Sequence, residues 1–161
     1  MQGFAAIYGA HFEWEQLSQD TFKVDLIFYT NCDSTISLSS TELTITSNCT
    51  TRTQYYNSIK SEDVTPVCKG QCISCDPSCT FKYGFTKHTL STILVTTYER
   101  QNSCCELNLS FFECCRSKIF TTGAAGTTFF IDSKINICQG KLLPKVAFEN
   151  DLSFFHCLGR D

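Results

Sequence analysis

The sequence predicts an all-β protein, a disulfide-stapled Ig-like β-sandwich with little or no helix and a jelly roll as the alternative arrangement. Three observations carry this. Apolar residues alternate with polar ones in short runs separated by turn residues, the pattern of half-buried strands. No segment long enough for a stable helix repeats its apolar residues at a helical period. Cysteine supplies 12 of 161 residues, a density that belongs to an oxidising compartment, because thiols inside the cell are kept reduced.

The strand at the centre of the chain is Cys104–Cys115, read Cys-Cys-Glu-Leu-Asn-Leu-Ser-Phe-Phe-Glu-Cys-Cys. Cys105, Leu107, Leu109, Phe111, Glu113 and Cys115 fall on one face, the greasier one, and the intervening residues on the other. Residues ten apart on a strand are separated by roughly 33 Å. The vicinal cysteines at one end therefore cannot bond those at the other. Each pair is expected to tie its end of the strand to distant segments.

The elements follow in order. Phe12 and Trp14 alternate with His11, Glu13 and Glu15 before the turn residues Ser18-Gln19-Asp20. Phe22, Val24, Leu26 and Phe28 then share a face opposite Lys23 and Asp25, completing a hairpin. Asn31-Cys32-Asp33-Ser34 ends that strand. Leu43 and Ile45 alternate with Glu42, Thr44 and Thr46, a polar-faced strand, and a short strand covers 53–59. The stretch 61–80, with Pro66, Pro77, Gly70 and four cysteines, reads as a pinned loop. Strand character returns at 81–85 and 90–98, and Glu99-Arg-Gln-Asn-Ser103 reads as a hairpin turn into the central strand. A Gly/Ala loop at 121–127 leads to a strand marked by Phe129, Ile131, Ser133, Ile135 and Ile137. Residues 1–140 are thus expected to form one sandwich. Residues 141–161 are a last strand or a linker toward a following domain or a neighbouring subunit.

Composition narrows the function classes. The 13 basic and 16 acidic residues form no basic stripe and give a net charge of −3, which argues against nucleic-acid binding. No apolar stretch reaches the length of a membrane span. Met1–Ala10 lacks the charged start and apolar run of a signal peptide, so export implies a leader already removed.

Candidate sites are few. Cys68, Cys72, Cys75 and Cys79 have the number of thiolates for a tetrahedral zinc. Structural zinc sites nevertheless set two short-spaced pairs far apart. Disulfides are the favoured reading for these four and for Cys32, Cys49, Cys104, Cys105, Cys114, Cys115, Cys138 and Cys157. Twelve cysteines allow about ten thousand pairings, so connectivity stays open. Of the histidines, His11, His88 and His156, none has a legible nucleophile, and a structural or surface role is expected for each. Gly123-Ala-Ala-Gly126 lacks the Lys-Ser or Lys-Thr of a phosphate loop. Glu13/Glu15 and Glu62/Asp63 read as solvated acids. Glu149/Asp151 admits calcium at a domain junction as an alternative to turn acids; no other cofactor is expected. Glycosylation sequons begin at Asn48 and Asn108, the second on the more polar face of the central strand.

Several phrases occur in a telling order: Gly9-Ala-His-Phe-Glu-Trp-Glu, Phe28-Tyr-Thr-Asn-Cys-Asp, Val64-Thr-Pro-Val-Cys68, the Glu-Cys-Cys-Arg116 strand end, and Phe130-Ile-Asp-Ser-Lys-Ile-Asn-Ile-Cys138. Together they resemble the N-terminal module of very large cell-surface proteins of gliding Bacteroidota, the gliding-motility-associated or type IX-secreted type. That pattern runs Gly-Gly-Glu-Ile-x-Tyr, Tyr-Arg-Asp-Cys, Val-Ser-Pro-x-Cys and Cys-Cys-Arg-Asn. Here Thr30-Asn31 stands for Arg-Asp, Ser117 for the final Asn, and the cysteine-rich loop is denser. The resemblance implies export, a β-sandwich and a role in adhesion, motility or fibre building, with no catalytic residues. The expected function is therefore an extracellular structural or adhesive module on the cell surface. Its partners are adjacent domains, identical subunits or surface glycans. The alternatives are a self-assembling filament subunit and a zinc-binding interaction module.

Overall fold

The computed structural model describes residues 7–32, 41–65, 75, 78, 84–113 and 128–138. Alternating sequence gives alternating burial. On β2 (Thr21–Asn31), Phe22, Val24, Leu26 and Phe28 are buried on the inward face. They draw β1 (Ile7–Ser18) against them through Phe12, which pairs with Leu26. Two elements carry the chain to a second layer: β3 (Glu42–Thr46), which buries Leu43 and Ile45, and β4 (Thr51–Tyr55). The chain returns as β5 (Ser58–Asp63) and β6 (Phe85–Val95), crosses again through α1 (Thr97–Gln101), and closes with β7 (Glu106–Glu113) and β8 (Phe129–Asn136).

The result is two antiparallel four-stranded sheets, ordered β1-β2-β6-β5 and β4-β3-β7-β8. Named A to G with C′ after C, these are A-B-E-D and C′-C-F-G. This is the immunoglobulin arrangement with one strand added to the C-F-G sheet, and the jelly-roll alternative falls. The inward faces meet in a single core, where Phe28 of one sheet stacks on Phe111 of the other at 6.1 Å between centroids. Leu107 and Leu109 complete the greasy face of the central strand.

Three boundaries differ from the sequence reading. The strand expected over 53–59 is two strands in different sheets, broken at Tyr56 and Asn57, where the backbone changes sheet and Asn57 N–H donates to Ser91 O. The strands expected at 81–85 and 90–98 are, among the described residues, one strand, β6. The Glu99–Ser103 hairpin turn is helix α1 with its C-terminal cap, because β6 and β7 lie in different sheets. Ser103 takes a left-handed conformation (φ 59°), Cys104 N–H reaches Glu99 O and Ser103 N–H reaches Arg100 O. That is a Schellman cap without its usual glycine.

Disulfides hold the strand ends and leave the core to packing. At one pole Cys32, just past β2, bonds Cys75. The Asp63 carboxylate fixes this corner by accepting from Thr65 N–H (2.9 Å) and Cys75 N–H (2.9 Å). At the other pole Cys49, in the β3–β4 turn, bonds Cys104, and Cys105 bonds Cys138. The vicinal pair that opens the central strand thus ties it to two distant segments. Cys68, Cys72, Cys79, Cys114, Cys115 and Cys157 lie outside the described residues, as do His156, Glu149, Asp151 and the Gly123–Gly126 loop.

Ion pairs reinforce the second pole. Arg52 on β4 donates to the Glu99 carboxylate of α1 from both Nε and a terminal nitrogen, each at 3.1 Å. Arg100 reaches Asp20 in the β1–β2 turn at 2.9 Å and also donates to Ile137 O beyond β8.

Candidate binding face

The alternation that buries Leu107, Leu109 and Phe111 turns Glu106, Asn108, Ser110 and Phe112 outward. In an antiparallel pair, directly opposed residues share a face. Phe112 opposes Phe130, Ser110 opposes Asp132, and Asn108 opposes Lys134, so all six face out. On the other flank of β7, Thr44 opposes Ser110, which brings Glu42 into the row of Phe112; Glu42 in turn opposes Tyr55 on β4. One row therefore crosses the whole sheet: Tyr55, Glu42, Phe112, Phe130. Its aromatic members are 54%, 65% and 56% exposed. Single exposed apolar residues are ordinary, but three rings in one row on a sheet face are not.

The polar groups around the rings are ordered. Tyr55 donates its phenol to Glu42; that bond, and then the carboxylate's charge, holds the phenol above its usual range. Lys134 binds Glu106 at 2.8 Å, and that bond raises the ammonium above its ordinary value. The rows below the rings hold Thr, Ser, Asn, Asp and Lys and no aliphatic side chain. Such a surface offers flat apolar platforms beside donors and acceptors, which suits binding better than covalent chemistry.

Among the described residues, a hydroxyl–imidazole pair with nucleophile-like geometry sits elsewhere. Ser61 Oγ is 2.8 Å from His88 Nδ1, and His88 Nε2 is 2.8 Å from Thr30 Oγ1. Thr30 donates its own proton to Asn31 O, so Nε2 carries the ring proton and Nδ1 accepts from Ser61. The ring is buried and stacks on Phe28 at 5.1 Å. Burial pushes its pKa down. The third group is a hydroxyl, with no charge to stabilise an imidazolium. This trio ties β5, β6 and β2 together. Its partners lie 58 and 27 residues apart in sequence, so only the strand register brings them together.

The remaining sequence candidates disperse. Cys75 is taken by Cys32, which removes it from the four-thiolate zinc set. Among the described residues no group of three or more His, Cys, Asp or Glu side chains could hold a metal ion. Among them, too, no helix is long and apolar enough to cross a membrane. His11 lies beside Glu13 at 3.5 Å on the outer face of β1. Asn48 is exposed at a bend, whereas Asn108 is half-buried in mid-strand with its Oδ1 fully enclosed. Asn48 is thus the more exposed of the two sequon asparagines.

Fold and face together define a disulfide-stapled Ig-like sandwich with an aromatic row on its C′-C-F-G sheet. Comparison with protein-family models, curated proteins and solved structures finds no match to this chain.

Proposed function

We propose that this protein is a non-catalytic extracellular module of the cell surface, structural in its body and adhesive through the outer face of the C′-C-F-G sheet. The observation that carries the reading is the row of Tyr55, Phe112 and Phe130, exposed on a sheet that two disulfides fix at one end. A contact under tension has to transmit force without unravelling its own strands. Cross-links at the strand ends serve this by restricting the unfolded chain, each contributing about 2–4 kcal/mol. Disulfides also fit an oxidising exterior. The resemblance to surface proteins of gliding Bacteroidota supports the same placement and a role in motility.

The test is retention under flow of beads carrying the protein on glass, polystyrene and mucin-coated surfaces. Wild-type beads are expected to hold on at least one surface, and Phe112→Ala/Phe130→Ala beads to wash off. Equal behaviour of the two on every surface contradicts the adhesive reading.

A self-assembling filament subunit is the second reading, favoured by the edge strands that the two described sheets present, β1 and β5 in one and β4 and β8 in the other, since an open edge invites strand addition. Light scattering and electron microscopy at rising concentration test it. A monomer at every concentration removes it.

A further inference from the structure

We infer that the aromatic row is a subsite for a neutral polysaccharide chain, an assignment that rests on the adhesive reading of this face and names its ligand class. Three features converge. First, the rings are presented as a line. Phe112 and Phe130 are direct cross-strand partners, and Tyr55 lies two strands away, about 10 Å across the sheet. A linear chain of sugar rings can follow such a line.

Second, the chemistry matches a sugar better than a peptide. The face of an aromatic ring is electron-rich, and the axial C–H groups of a pyranose, polarised by the ring oxygens, stack on it. The hydroxyl rim then needs both donors and acceptors. In the adjacent row Ser110 and Thr44 can do either, and Asp132 accepts. Aliphatic side chains, which line peptide-binding grooves, are missing from the described rows of this face.

Third, charge selects the kind of glycan. Among the described residues of this face, Glu42, Glu106 and Asp132 stand against Lys134, which is already committed to Glu106. The surplus is negative, so uronic, sialic or sulfated chains meet repulsion where neutral ones do not.

The experiment is electrophoresis of the intact protein through native gels cast with hydroxyethylcellulose, xylan, galactomannan or glycol chitin, with alginate as the anionic control. Retardation by at least one neutral polymer and none by alginate is expected. Phe112→Ala and Phe130→Ala should each weaken that retardation about tenfold, the scale of a lost stacking contact. Both side chains are exposed, so neither change threatens folding. Ile93→Ser, on the outer face of the other sheet, should leave it unchanged. No retardation by any neutral polymer overturns the assignment, as does retardation that alginate reproduces or that survives both Phe substitutions. If bead retention still depends on Phe112 and Phe130 while no glycan retards the protein, the adhesive reading stands and the glycan is withdrawn. If both fail, both fall.

Discussion

Gly84 shows how tightly the first pole is built. A Cβ placed there would run into Thr65 Oγ1 and the Cys32 sulfur and come within 3.0 Å of Cys75 N. Two of these contacts are backbone or cross-linked and have little freedom to give. Gly84→Ala should therefore destabilise the protein by about 1–3 kcal/mol through overpacking, measured as a drop in the denaturation midpoint. His88 supplies a pH signature. Burial lowers its pKa in the folded state, while the unfolded chain titrates near the ordinary value of 6.5. Between those two values the unfolded chain binds more protons. Stability is therefore full above the ordinary value and declines as pH falls through that window. Thermal melts of wild type and His88→Gln from pH 7.5 to 5 (about these limits) should show a shallower acid decline in the variant. Parallel declines would contradict a neutral His88.

Elements were legible where burial alone sets the pattern. The faces of β2 and β7 follow directly from alternation, and so does the inward set on β8. The misread boundaries are places where the chain changes sheet. Tyr55 and Tyr56 are strand formers that run up to the crossing, and Asn57-Ser58, without glycine or proline, marks the break only weakly. Glu99–Ser103 holds turn-type residues whose Schellman cap uses Ser103 where glycine would have been a clear signal. The aromatic row was hidden for a related reason. Phe112 falls among the polar residues of the central strand's other face, but its alignment with Phe130 and Tyr55 depends on the register of four strands. The Arg52–Glu99 pair links two such elements. Glu99 is almost fully buried, and its Oε2 has no hydrogen-bond partner. Arg52→Met should cost about 3–5 kcal/mol by stranding that carboxylate. Arg52→Met/Glu99→Met together should lose clearly less. A double variant no better than the single, by chemical denaturation, would show that the guanidinium's bond to Val95 O (2.7 Å) carries the effect instead.

At the scale of the whole molecule, the sandwich fixes its two poles by different means. Among the described residues, the first uses a disulfide and an acceptor carboxylate, and the second uses two disulfides and two ion pairs around α1. The C′-C-F-G sheet is cross-linked at its second-pole end, and a restrained surface loses less conformational freedom when a ligand lies on it. Function, stability and compartment are therefore linked through the cross-links. The most direct test is thiol alkylation in denaturant before and after reduction, followed by peptide mapping of protein recovered from its native compartment. This architecture predicts that Cys32, Cys49, Cys75, Cys104, Cys105 and Cys138 take label only after reduction, with Cys32–Cys75, Cys49–Cys104 and Cys105–Cys138 recovered as linked peptides. Labelling of all 12 cysteines without reduction would contradict it, and with it the proposed extracellular role.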